Sequence, residues 1–158
     1  MMPKIRAVAM VVDHGSILLM RRVSQGREYY VFPGGGVEAN ESVEDAVVRE
    51  VREEASLAVQ IEWPLYHHVY DDSSEHWFYL CRYISGHPQL GQGNEMESMR
   101  ANPGELYEPF WCEIDRLSEM LIYPLEIRDW FVADYHAGLS REQLKTAVIA
   151  LKDLRHSI

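Results

Sequence analysis

Cysteine is scarce in this chain. Cys81 and Cys112 are the only two, and they do not form a C-x-x-C pair. This argues against a zinc ribbon and a disulfide-dense scaffold. It fits a reducing compartment, so a cytoplasmic location is expected. Long apolar runs are also missing. The longest, Ala7 to Val12, has six residues and stops at Asp13. That is too short for a membrane span or a signal-peptide core, so no membrane partner is expected. Positive charge is the third shortage. There are 15 basic residues against 25 acidic ones, a net charge of −10. General nucleic-acid binding needs a basic footprint and is not expected.

What remains is an ordinary globular composition. The 158 residues are 47% hydrophobic and 25% charged, which suggests one domain over residues 1–158. Its core is expected over about 4–136, with a C-terminal helix over about 140–156. The charge is unevenly placed. Residues 1–27 hold Lys4, Arg6, Arg21, Arg22 and Arg27 against Asp13, a local charge of +4. Residues 28–80 hold 12 acids against Arg49 and Arg52, a local charge of −10. A basic strand region beside an acidic cluster can hold an anion and a cation together.

The local patterns place the elements. Ile5 to Val12 reads as a strand, Asp13-His14-Gly15 as a turn, and Ile17 to Met20 as the second arm of a hairpin. Tyr29 to Phe32 is a short strand broken by Pro33 and Gly34-Gly35-Gly36. Ser42 is placed to cap a helix on which Val43, Val47, Val51 and Ala55 recur every four residues. Residues 58–70 and 76–85 read as strands. His87 to Glu105 reads as a long irregular loop, the kind that is often functional. Glu108 to Ile114 reads as a last strand. Pro124 opens a helix that Gly138 stops. Ser140 and Gln143 are placed for a capping box, and Leu144, Val148, Leu151 and Leu154 then line a final helix. Strands enclosing one helix, with helices at the end, predict a mixed α/β layered domain.

The chemistry concentrates in Arg49-Glu50-Val51-Arg52-Glu53-Glu54. On a helix, Glu50, Glu53 and Glu54 share an arc of roughly 100°. Like charges at these spacings repel, and Arg49 and Arg52 offset part of that. A hard divalent cation would use such a cluster. Magnesium takes carboxylate oxygens and water, and is commonly shared with substrate phosphates. The glycine-rich turn just before the helix allows close backbone approach.

Spacing joins the two features. From Gly35 the chain reads Gly, five residues, Glu41, seven residues, Arg49-Glu50-Val51, one residue, Glu53-Glu54, one residue, Ser56-Leu57. This resembles the Nudix box, G-x5-E-x7-R-E-U-x-E-E-x-G-U, with every fixed position matched except Ser56. A strand ending Phe32-Pro33-Gly34 before the box, and Trp111 with Asp115-Arg116-Leu117 after it, extend the resemblance over residues 4–136. It implies an α-β-α sandwich that hydrolyses a nucleoside diphosphate linked to another group, using magnesium or manganese. It implies Glu53 and Glu54 as principal metal ligands and Glu50 as ligand or general base. Arg49 would orient the glutamates, and Glu41 would support loop and helix. Gly35 would form the turn, and Gly34 would offer a carbonyl to metal. Ser56 stands where the family has Gly, at a position suited to a left-handed helix cap. Asn40, where many members have Gly, tolerates that conformation.

Other residues complete the expectations. His67 and His68 fall on opposite faces of a strand, which disfavours a zinc site with His76. Tyr107, after the long loop, is the candidate to stack on a substrate ring. A further acidic residue outside the box is common in the family. Glu95, Glu97, Glu105 and Glu108 are available, and Glu108 is preferred because it adjoins the Trp111 strand. The expected partner is a small nucleotide substrate, and a homodimer is left open. A Nudix-fold module that binds a nucleotide without turnover is the alternative. The intact glutamates weigh against it.

Overall fold

A computed structural model describes residues 4–91, 93–142 and 144–151. Two hairpins start the fold. Strand β1 (Ile5–Asp13) turns through His14 and Gly15 into β2 (Ser16–Ser24), which turns through Gln25 and Gly26 into β3 (Arg27–Val31). All four turn residues have positive φ, the backbone that two-residue hairpin loops require. Strand β4 (Gly34–Gly36) then pairs with Arg6 to Val8 of β1 and leads into helix α1 (Val43–Ala55).

A long hairpin follows, formed by β5 (Ala58–Tyr70) and β6 (Glu75–Ser85). Next come α2 (Asn94–Ala101), β7 (Leu106–Glu113), a 3-10 turn at Ile114–Glu119, β8 (Ile122–Tyr123), α3 (Leu125–Ala137) and β9 (Lys145–Ile149). The mixed sheet runs β8-β3-β2-β1-β6-β5-β9, with β4 beside β1 and β7 beside β2. It is parallel at β1/β6, β3/β8 and β5/β9.

The sheet is covered on both faces, and β1 shows why. Ala7, Ala9 and Val11 pack with Ala46, Val47, Val51 and Ala55 of α1. The alternate residues Val8 and Met10 pack with Ile127 and Phe131 of α3. Period-two alternation with both sets apolar is the signature of a strand buried on two sides. The small side chains Ala7 and Ala9 let α1 lie close to the sheet. The expected mixed α/β sandwich is therefore present. Cys81 and Cys112 are free, buried, and packed in opposite layers. Burial pushes the Cys81 thiol up to about 12, so it packs as a small neutral group.

Several elements differ from expectation. The glycines at 34–36, read as a turn, form strand β4 and pair with β1. The stretch read as a wholly irregular loop contains α2, an eight-residue helix. Its Glu95 and Glu97 lie in the first turn and Arg100 in the last, as the helix dipole favours. The expected helix over residues 140–156 is not present across 145–149. Those residues form β9, paired in parallel with Tyr66 to Tyr70 of β5. Thr146, Val148 and Ile149 are β-branched and suit a strand. Leu144, Val148 and Leu151, expected on a buried helix face, are exposed. The Ser140 hydroxyl accepts the Glu142 N–H in a local turn. Gln143 and Leu154 lie outside the described residues.

No described helix is long and apolar enough to cross a membrane. One polar junction ties the last elements to the sheet. The fully buried Tyr66 on β5 donates its hydroxyl to Asp134 Oδ2 at 2.8 Å, and Lys145 Nζ on β9 donates to Asp134 Oδ1 at 2.8 Å. Asp134→Ala leaves the Tyr66 hydroxyl without its acceptor and should cost about 1–3 kcal/mol of stability. A urea denaturation midpoint equal to that of the unaltered chain would contradict this junction.

Candidate active site

The site is built where α1 meets the glycine strand. The Ser42 hydroxyl accepts the N–H of Asp45 at 3.0 Å and starts α1 at the expected residue. With Val47, Val51 and Ala55 turned into the core, helical geometry sends Arg49, Glu50, Glu53 and Glu54 toward β4 and the region beyond it. Glu50 and Glu54 are themselves buried, at 7% and 5% exposure. Gly34 donates its N–H to Glu54 Oε2 at 3.1 Å. The Glu50 carboxylate lies against Gly35 so closely that any Cβ there would overlap it. A side chain at position 35 would displace the Glu50 carboxylate from this place.

Arg49 is the hub. Its Nε and Nη2 donate to the two Glu41 oxygens at 2.7 and 3.0 Å, a bidentate pair. Its Nη1 donates to Glu50 Oε1 at 2.8 Å and to Glu53 Oε2 at 3.2 Å, and its Nη2 to the Gly36 carbonyl at 2.9 Å. These bonds, Glu41 foremost, raise Arg49 above its already high value and hold Glu41 below the usual carboxylate range. Glu41 also accepts the Glu38 N–H, so it joins the loop to the helix. Arg49 thus lies between Glu41 and two glutamates of α1.

The carboxylates that converge are Glu50, Glu54 and Glu95, each with an oxygen within 4.8 Å of the others. Glu53 stands apart at the rim, held by Arg49 and 36% exposed along its side chain. Glu95 comes from the first turn of α2. Burial lifts Glu54 well above the usual carboxylate range, and the Glu95 and Glu50 charges add to the effect. Burial also lifts Glu50, against the pull of Arg49.

Not every expected residue joins this cluster. Tyr107 and Glu108 are neighbours on β7, so their side chains leave opposite faces. Tyr107 lines a cavity with Glu54 and Glu95. One face of its ring is covered by the Arg22 guanidinium, 3.7 Å from the centroid. Glu108 is exposed, lies 3.6 Å from Arg21, and lines none of the three cavities around the site. Glu95 is the acid that enters. The Gly34 carbonyl already accepts from Arg6 Nη2 at 3.2 Å. His67 pairs with Glu75 and stacks on Trp77, whereas His68 is fully buried beside Phe78 and Trp130. Among the described residues they join no metal-ligating cluster.

Sequence reading missed the arrangement of Arg6 and Arg22. Arg6 lines the cavity over Glu50 and Glu53, the cavity of Glu54 and Tyr107, and a third of about 330 Å³. Arg22 lines the second and third of these. The third is walled by Tyr29, Phe32, Phe78 and Tyr123, with Tyr70 and His76. The surplus of positive charge in residues 1–27 was the available signal.

A sequence profile of the NUDIX domain matches residues 2–131. Among solved structures, a NUDIX hydrolase from Nitrosomonas europaea aligns with a TM-score of 0.70 at 16% identity, over 93% of this chain and 80% of that one. An ADP-ribose pyrophosphatase from Streptococcus suis aligns at 0.64 and 21% identity, over 92% and 100%. A structure from work on MutT of Aliivibrio salmonicida and Vibrio cholerae aligns at 0.62 and 26% identity, over 85% and 96%.

The buried carboxylates have a consequence in the metal-free protein. A carboxyl raised on folding keeps its proton at pH values where the unfolded chain has released it. Its contribution therefore falls as pH rises past the ordinary glutamate value of about 4.3. Glu54→Gln retains an acceptor for the Gly34 N–H and never ionises. In chelator it should melt higher than the unaltered chain at about pH 7, with the gain gone near pH 4. Thermal melts at the two pH values check this, and an equal gain at both would contradict it.

Proposed function

The chain belongs to the NUDIX-domain family and is a Nudix hydrolase; from that premise we propose that it cleaves the diphosphate linkage of a nucleoside diphosphate derivative, with magnesium held by Glu50, Glu54 and Glu95. The carrying observation is the convergence of these three carboxylates within 4.8 Å, two of them buried. Carboxylates so placed repel one another and lack bulk water, and a hard divalent cation satisfies both needs. An all-oxygen donor set fits magnesium, or manganese in its place, better than a softer metal. When bound, such an ion neutralises diphosphate charge and acidifies the attacking water.

The chain's own residues supply the rest of the reading. Arg49 fixes Glu50 through Oε1, leaving Oε2 to take a proton from water. Glu53 adds negative charge at the rim of the same cavity. Arg6 and Arg22 stand between the glutamates and the aromatic cavity, where guanidinium groups pair well with phosphate oxygens. That cavity is of a size for a nucleoside or a comparable ring, and its aromatic walls offer stacking. The relative that is an ADP-ribose pyrophosphatase supports a nucleoside diphosphate joined to a second group.

The test is a panel of nucleoside triphosphates, nucleotide sugars, ADP-ribose and dinucleoside polyphosphates, assayed for monophosphate or phosphate release. Release is expected only with divalent cation. Glu54→Gln should lower turnover at least about tenfold, or about 1.4 kcal/mol of transition-state stabilisation, and by more than Glu53→Gln. Binding across the panel without release would instead identify a nucleotide-sensing module.

A further inference from the structure

The one departure from the box has a structural partner. Ser56 caps α1 in the left-handed conformation, with φ 61°, where glycine is the usual residue. Its hydroxyl does not cap the helix. It donates to the carbonyl of Gln89 at 2.8 Å, 33 residues along the chain. Two backbone bonds continue the contact: Gln89 donates its N–H to the Ala55 carbonyl at 3.1 Å, and Gly91 to the Glu53 carbonyl at 2.9 Å. The segment after β6 therefore runs as a strap along the open carbonyls of the last turn of α1. Those carbonyls otherwise lack partners at a helix end. Gly91 is needed for this approach, because a Cβ there would lie 2.5 Å from the Glu53 carbonyl oxygen and 2.9 Å from that of Arg52. Helix α2 comes next in the sequence, and its first turn carries Glu95.

We propose that Ser56 is a positioning residue for Glu95: its hydroxyl ties the strap to the end of α1 and so sets Glu95 against Glu50 and Glu54. Helix α1 thus carries two of the three converging carboxylates and, through its C-terminus, holds the third. The inference rests on the cation reading given above. A glycine at position 56 would fit the backbone better and lack the tether, so local strain and site geometry pull in opposite directions.

That opposition makes the test. Ser56→Gly removes the hydroxyl and relieves the left-handed strain, whereas Ser56→Ala removes the hydroxyl and keeps the strain. In chelator, Ser56→Gly should melt about 2–4 °C above Ser56→Ala, because the two variants lack the same hydrogen bond and differ in the left-handed strain. Manganese titration followed by the resonance of the free ion should show both variants weakened by about three- to tenfold, as for one lost hydrogen bond. Amide exchange at Gln89 and Gly91, measured in chelator, should quicken in both. If Ser56 only ends the helix, affinity will follow the melting temperature, and Ser56→Gly will bind manganese at least as tightly as the unaltered chain. That result overturns the inference. Failure of the unaltered chain to bind manganese would instead overturn the cation reading.

Discussion

Ionised carboxylates are costly to bury side by side without a compensating charge, and the architecture follows from that constraint. Arg49 supplies the compensation that the chain itself carries. It spends four contacts on three glutamates and one on the Gly36 carbonyl. Such charge-assisted, bidentate bonds are among the stronger polar interactions. Arg49 does not reach Glu54, whose carboxyl burial holds well above the usual range. The uncompensated part of the site therefore lies at Glu54 and Glu95, on the side facing Arg6, Arg22 and Tyr107. On the proposed reading, cation and substrate phosphate meet there.

The fold serves this arrangement by bringing rigid elements close together. Ala7 and Ala9 on β1 and the backbone of β4 give α1 room to lie against the sheet. Small residues at the interface thus set the height of Glu50 and Glu54 above Gly34 and Gly35. A site on a helix and a strand keeps its geometry better than one on loops. Glu95 is the exception, since it arrives on a short helix at the end of an irregular segment. Its position depends on the contacts that segment makes with α1.

Much of this could be read from the sequence, for identifiable reasons. The spacing from Gly35 to Leu57 is local, so the helix, its Ser42 start, the Arg49–Glu41 pair and the left-handed position at Ser56 could all be read from it. The rest depends on partners distant in sequence. Glu95 was one of four available acids, and its convergence with Glu50 and Glu54 brings together residues more than 40 positions apart. Glu108 was preferred for its nearness to Trp111. The β2/β7 register instead sets Glu108 opposite Arg21 and Tyr107 opposite Arg22, which turns the first outward and the second into the cavity. The C-terminal strand was hidden for a related reason. The spacing of Leu144, Val148 and Leu151 suits a helix face, but the open edge of β5 offers backbone pairing to residues 145–149.

The central claim is that Glu50, Glu54 and Glu95 together hold a divalent cation. A crystal soaked in manganese, with data collected at a wavelength where manganese scatters anomalously, tests it most directly. The account predicts an anomalous peak within coordination distance of oxygens from all three carboxylates. A peak bound by Glu53 and exposed acids alone, with none at the buried cluster, would contradict it.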